Sequence, residues 1–408
     1  VPLSRRQIYR RRRLTVFGTL AVVVAALVYL PATLLAPLPA ASATTLPVSV
    51  TTPAAASIDW PDYGASAIGA VGYDKLLGTS GSTKQLPMAS ISKVITTLVV
   101  LDAKPLKVGE SGPTIDFTSA DVALYNHYLA LNGSLEPVRS GLQLSELQVL
   151  QLALIPSANN YAASLATWAF GSQKAFVAAA DDWLDENDLD DITFVEPTGI
   201  NPSNTSTASD LVALGKLAIA NPVITKIVST KSVKIPGVGT VANTNALLGI
   251  DGVSGLKTGT LTKAGANLLF TARHTYGKTT ITLVGVVLGG KDHPSLDTDI
   301  RTVISGVTSG FHMVTLAKKG TTVGAVTTKW GDDSDIVLAT TSRVLVYSKT
   351  PIAASVRLAT VTPSVAGTDV GSVTYRVGER TYTVKLELDR AIGTPDAAWR
   401  LSHPLTLI

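Results

Sequence analysis

The order of periodic segments predicts an α+β body followed by a small all-β domain. Strand-like segments come first, then a long helical stretch, then more strands and a final helix. Beyond about Leu316 the chain alternates apolar and polar residues instead, as half-buried strands do.

Within the body, residues 67–73 read as a short strand and 75–79 as a second one after a turn. Residues 90–101 read as a buried helix. Ile91, Val94, Ile95, Leu98, Val99 and Leu101 give it apolar residues on most sides. Residues 118–221 read as largely helical with loops between. Leu147, Leu150 and Leu154 recur at helical spacing there, and Ser145 is suited to cap their helix. The last helix of this lobe is expected to end at the Asn221-Pro222 break. Residues 255–260, 268–273 and 279–288, with a turn at Tyr276-Gly277-Lys278, predict an antiparallel meander. Residues 296–311 then supply a closing helix. The expected body is an antiparallel sheet with flanking helices and a helical lobe.

In the tail, Tyr375 and Val377 alternate with polar neighbours, as do Tyr382, Val384, Leu386 and Leu388. Gly378-Glu379 between these runs predicts a hairpin. Residues 323–330 and 343–347 add strands, so a small β-sandwich is expected.

The chain has 408 residues, of which 46% are apolar, enough for a large core and two domains. It has no cysteine, which excludes disulfides, thiolate metal sites and a cysteine nucleophile. The formal charge is +4, but six arginines precede Leu14 and the remainder carries −2. A nucleic-acid surface on the folded body is therefore not supported. No residue between Leu14 and Ile58 is charged. The apolar run is just long enough to span a bilayer of about 30 Å. An arginine cluster before it predicts that the body lies outside the cytoplasm. Ala41-Ser42-Ala43 also fits a signal-peptide cleavage pattern, so a retained anchor and a cleaved signal both remain open. The expected organisation is a basic tail (1–13), an anchor or signal segment (14–35) and an Ala/Pro/Thr linker (36–59). The body (60–315) and a β-sandwich-like domain (316–408) follow.

Three short motifs carry chemistry. Ser90-Ile91-Ser92-Lys93 puts a hydroxyl and an amine three residues apart, on one face if both lie in a helical turn. Burial and a second cation lower a lysine pKa, so Lys257 would help Lys93 accept the serine proton. Ser157-Ala158-Asn159 follows an apolar helix and Pro156. A serine there can relay a proton, and an asparagine can hold a substrate amide. Lys257-Thr258-Gly259 lies on an expected strand, offering a cation and a hydroxyl to a carboxylate and a glycine for close approach. Each alone reads more readily as a helix cap, a turn or an exposed lysine. Together, in this order and context, they fit acyl transfer on a substrate bearing a carboxylate. The five histidines show no metal-ligand spacing, no Gly-x-Ser-x-Gly elbow occurs, and no cofactor is expected.

The trio resembles the signature of class A β-lactamases and penicillin-binding proteins. Pro87-Met88-Ala89-Ser90-Ile91-Ser92-Lys93 resembles the nucleophile helix of bacterial D-alanyl-D-alanine carboxypeptidases, the low-molecular-mass penicillin-binding proteins. The similarity continues through Pro156-Ser157-Ala158-Asn159-Asn160, Glu196-Pro197-Thr198-Gly199-Ile200, Ser206-Thr207-Ala208 and Gly255-Leu256-Lys257-Thr258-Gly259. It implies a β-lactamase/transpeptidase-like body. It further implies Ser90 as acylated nucleophile, Lys93 as general base and Ser157 as proton shuttle. Asn159 would hold the peptide backbone, and Lys257 and Thr258 the terminal carboxylate. Gly259 would line the substrate strand, and the N–H groups of Ser90 and Thr260 would form the oxyanion hole.

The implied function is a membrane-tethered carboxypeptidase that trims peptidoglycan stem peptides ending in D-Ala-D-Ala, with β-lactams as covalent inhibitors. A serine β-lactamase is the first alternative. Its Glu-x-x-x-Asn arrangement is not matched, because Ile200 stands four residues after Glu196 and Asn201 falls one place late. A non-catalytic wall-binding scaffold is the second.

Overall fold

The computed structural model describes residues 4–407 and divides into two compact units. One is Ala55–Phe311; the other joins Val1–Ala54 to His312–Ile408. Helix α1 (Arg5–Leu34) and strand β1 (Ser42–Thr45) belong to the second unit.

The body opens with β2 (Ala65–Ala70) and β3 (Gly78–Gly81), followed by a 3₁₀ turn at Ala89–Ile91 and helix α2 (Ser92–Ala103). The lobe contains α3 (Ser119–Ala130), α4 (Glu146–Leu154), α5 (Asn159–Phe170), α6 (Gln173–Glu186), α7 (Ala208–Ala220) and α8 (Pro222–Val228). The meander is β4 (Val253–Leu261), β5 (Gly265–Tyr276) and β6 (Thr279–Gly290), closed by α9 (His293–Ser309). These strands form one antiparallel sheet in the order β4-β5-β6-β2-β3, with β4 at its edge. Every residue from Ser92 to Leu101 is buried, as the all-round apolar pattern of α2 requires. The helix packs against α4, α5, α6 and α7, and its Val94, Ile95, Leu98 and Val99 join one continuous core. Each such side chain contributes roughly 1.5–3 kcal/mol on burial. The position of Lys93 is therefore fixed by packing along the whole helix.

Ser145 caps α4 as expected, accepting from Gln148 N at 3.3 Å while Gln148 reaches back to Ser145 N at 2.8 Å. Two expectations shift. The first strands lie at 65–70 and 78–81, because the intervening residues form a turn. Helix α7 does stop before Asn221, but α8 restarts at Pro222, bent by 102°. Asn221 Oδ1 accepts from Val223 N (2.9 Å) and Ile224 N (3.3 Å), and proline is well placed at the first helical position.

The tail carries β7 (Phe311–Ala317), β8 (Thr322–Thr327), β9 (Asp333–Leu338), β10 (Ser342–Tyr347), β11 (Ile352–Leu358), β12 (Asp369–Val377) and β13 (Arg380–Leu388), then helix α10 (Ala397–Ser402). A six-stranded sheet runs β1-β8-β9-β13-β12-β11, and β7 pairs with β10. Leu316, Val344 and Val346 from the small sheet share a core with Val373, Tyr375 and Leu386 from the large one. Gly378 makes the hairpin turn between β12 and β13 with φ +57°. Residues 36–59 are more than a linker: β1 lies inside them, paired with β8 from Ser42↔Thr327 to Thr45↔Gly324. A Cβ on Gly324 would meet Thr44 O at 2.2 Å, so glycine is what lets β1 lie against β8.

In the body, Glu146 is only 1% exposed, and its Oε1 has no hydrogen-bond partner among the described residues. Burial raises its pKa to about 7, against a smaller lowering by Lys104. A raised carboxyl pKa makes folding less favourable as pH climbs from the ordinary carboxyl range to about 7. Glu146→Gln is therefore expected to raise the melting temperature at pH 8. The gain should vanish near pH 4, which thermal unfolding at both pH values measures.

Candidate active site

Ser90 sits in the 3₁₀ turn that leads into α2, and several side chains hold that turn. Ser92 donates its hydroxyl to Ala89 O (2.7 Å) and accepts from Asn204 Nδ2 (2.9 Å). Asn267, on β5, donates to Pro87 O at 3.0 Å. Ala89 has φ +50°, a conformation that disfavours a side chain. Two glycines press against it. A Cβ on Gly199 would lie 1.9 Å from Ala89 O, and one on Gly259 would lie 2.8 Å from Met88 O and 3.3 Å from Ser90 N. The glycine of the third motif is thus where β4 touches the turn carrying the first.

Lys93, fully buried, projects from the first turn of α2. Its Nζ lies 2.9 Å from Ser90 Oγ, 2.7 Å from Asn159 Oδ1 and 2.8 Å from Thr198 O. The two carbonyl-type oxygens hold no proton and must receive N–H bonds. The third direction faces the serine. Burial holds the Lys93 pKa well below its ordinary value; Lys257 lowers it further, and Glu196 opposes.

Asn159 is the first residue of α5. Ser157 lies in the turn between α4 and α5, 4% exposed, with φ +67°. The hydroxyl of Ser157 makes no protein hydrogen bond among the described residues, so the second motif joins the first directly through Asn159 alone.

On β4, Lys257 is 1% exposed and donates to Thr258 O at 3.1 Å. Burial lowers its pKa to about 7. Thr258 Oγ1 lies 2.6 Å from Thr244 Oγ1, and Thr260 Oγ1 lies 2.7 Å from His293 Nε2. As the edge strand, β4 leaves alternate backbone N–H groups unpaired by the sheet. A cavity of about 440 Å³, lined in part by Tyr128, Glu196, Asn201 and Leu261, adjoins this strand end.

Several residues of the site went unassigned in the sequence. Thr198 supplies a carbonyl to Lys93, and Glu196 Oε2 accepts from Thr198 N (2.8 Å) and Oγ1 (2.7 Å). Asn204 ties Glu196 O to the Ser92 hydroxyl. The Glu196-Pro197-Thr198-Gly199 segment was visible as a motif, but only the fold shows what it touches. Thr244 and His293 had no local signal.

The fold is one seen in solved structures of penicillin-binding proteins and DD-transpeptidases. A structure from Streptococcus pneumoniae, described as a peptidoglycan synthesis regulatory factor (PBP3), superposes with a TM-score of 0.58 at 22% identity. It covers 84% of this chain and 100% of that one. The Streptomyces K15 DD-transpeptidase gives 0.52 at 24% identity, covering 64% and 98%. The family model described as D-alanyl-D-alanine carboxypeptidase matches residues 67–292. The chain belongs to that family. Among relatives, the D-alanyl-D-alanine carboxypeptidase DacF of Bacillus subtilis is 25% identical over 281 residues, 67% of this chain and 69% of that protein. The D-alanyl-D-alanine endopeptidase of Escherichia coli is 34% identical over 145 residues, 36% of this chain. The match spans only 44% of that endopeptidase.

Gly259→Ala should drive β4 away from the turn carrying Ser90, because the atom it meets is backbone. The expected loss is about 1–3 kcal/mol of stability, read by denaturant unfolding.

Proposed function

We propose that this protein is a serine-type D-alanyl-D-alanine carboxypeptidase acting on peptidoglycan stem peptides through an acyl-enzyme on Ser90. The observation that carries the reading is the Lys93 amine, buried and held by two proton-free acceptors with its remaining direction on Ser90 Oγ. A neutral Lys93 in that position presents its lone pair to the serine proton.

The steps follow from the placement of the groups. Ser90 Oγ attacks the carbonyl of the penultimate D-alanine as Lys93 takes its proton. The Ser90 and Thr260 N–H groups bind the oxyanion; losing one such donor typically costs about 3–4 kcal/mol. The proton held by Lys93 reaches the departing amine through Ser157, which gives one proton and takes the other, and D-alanine leaves. Lys257 and Thr258 hold the terminal carboxylate, with Gly259 allowing close approach. Asn159, whose Oδ1 serves Lys93, keeps its Nδ2 for the substrate backbone. Water then attacks the ester, releasing the shortened peptide and restoring Ser90. The cavity beside Glu196 receives the rest of the stem. β-Lactams, which carry a carboxylate beside a strained amide, acylate the same serine.

Glu196 favours this reading over a β-lactamase. Its two oxygens are engaged by Thr198 and by Asn201 N (3.2 Å), so it is spent on shaping the loop rather than free to activate a deacylating water. We further read α1 as a retained anchor placing the body outside the cytoplasm. It is the one described helix long and apolar enough to span a bilayer, and cleavage after Ala43 would cut β1 in half. Tyr29 Oη donates to Leu401 O (2.6 Å), and Arg400 donates to Leu34 O (3.1 Å) and Ala36 O (2.9 Å) past the end of α1.

Intact mass spectrometry after addition of a penicillin tests the reading. A lasting one-to-one adduct is expected on the wild type and none on Ser90→Ala. Lys93→Met should slow acylation by about 10²–10⁴-fold. Rapid drug consumption with short-lived adducts would point to a β-lactamase. No adduct on either protein would point to a binding role. The rate should fall in acid as Lys93 protonates, and above pH about 7 as Lys257 loses its charge, giving a bell-shaped kcat/KM.

A further inference from the structure

His293 is the first residue of α9, directly after the capping Asp292, whose Oδ1 accepts from Ser295 N at 2.9 Å. The ring is half-buried, and its Nε2 meets Thr260 Oγ1 at 2.7 Å. Thr260 lies two residues beyond Thr258 on β4, so the two hydroxyls share a face of the strand. The charged groups around the imidazole are Lys257 from β4 and Asp292 and Asp297 from α9. Nothing in the mechanism above uses this contact.

We propose that His293 is a positioning residue of the carboxylate subsite, which through Thr260 makes affinity for the terminal carboxylate of the substrate rise as pH falls. The inference rests on the carboxypeptidase reading and extends it to specificity. The chemistry lies in who donates. With a neutral ring protonated on Nδ1, Nε2 accepts the Thr260 proton, and the hydroxyl offers a ligand only lone pairs. Once both ring nitrogens carry protons, Nε2 can only donate. The Thr260 proton is then released toward the ligand, and a positive charge stands behind it. Both changes favour a carboxylate, and a bound carboxylate in turn favours the charged ring.

The direction in the free protein agrees with a switch that is off at neutral pH. Burial lowers the His293 pKa below its ordinary 6.5 and Lys257 lowers it further, while Asp297 and Asp292 oppose. Protonation therefore occurs below that value. As pH falls, Lys257, with a pKa of about 7, gains its charge ahead of the ring.

The test is KM and kcat for release of D-alanine from a peptide ending in D-Ala-D-Ala, measured on the full chain between about pH 5 and pH 8. In the wild type, KM should fall on acidification below pH 6.5, by up to about tenfold per unit, the limit for one linked proton. His293→Gln should lose this acid-side fall, while the acid limb of kcat, set by Lys93, stays at the same pH. His293→Arg, charged throughout, should give a low KM with no acid-side dependence. A matching peptide ending in D-alaninamide, which has no carboxylate, should show no dependence in any of the three. A His293→Gln enzyme that keeps the whole acid-side fall in KM would overturn the inference, as would equal pH dependence with the amide. If the wild type neither releases D-alanine nor is acylated by penicillin, the functional reading itself fails and the inference falls with it.

Discussion

Most of the body is arranged to keep one amine dry. Lys93 is buried along with the rest of α2, and an isolated ammonium in such surroundings is expensive. Among the described residues no carboxylate pairs with it, and Glu196 acts on it only at a distance. Its neighbours are an amide oxygen, a peptide carbonyl and a serine hydroxyl, which suit a neutral amine as well as a charged one. Each comes from a different element: Asn159 from α5, Thr198 from the loop before Asn204, Ser90 from the turn before α2. The helix must therefore pack against the lobe along its whole length for the three to converge.

The second lysine gives the cleft its asymmetry. Lys257 is as buried as Lys93, and the two repel. Burial works against the charge on both, and at Lys93 the charge of Lys257 adds to the lowering. At its edge position, β4 offers main-chain groups as well as side chains to a ligand. Gly259 and Gly199 set the distance between that edge and the turn carrying Ser90, acting as spacers defined by what they lack.

What could be read in advance depended on how local the cause was. The Ser90 and Lys93 pair was legible because three-residue spacing is itself a geometric statement. The meander was legible because Gly277 and the flanking alternation define a hairpin. Residues 352–358 escaped notice because Ala353, Ala354 and Ser355 carry little strand character; pairing with β12 makes them a strand. The continuation into α8 was missed because Pro222 reads as a stop, although a proline also starts helices. Asn204, Thr244 and His293 were invisible for a different reason. Their partners lie 112, 14 and 33 residues away, and no pattern in the chain records those distances.

The small strand β1 also has a place in time. Thr44 and its partner Ala325 are 281 residues apart, with the entire body between them. During synthesis β1 appears early and then waits, unpaired, until β8 follows it. The six-stranded sheet is consequently completed after the body has had its chance to fold. Loop closure over such a span is slow relative to local contacts. The β1 edge therefore stays unprotected until the whole body has been made, exposed meanwhile to proteases or to pairing with another chain.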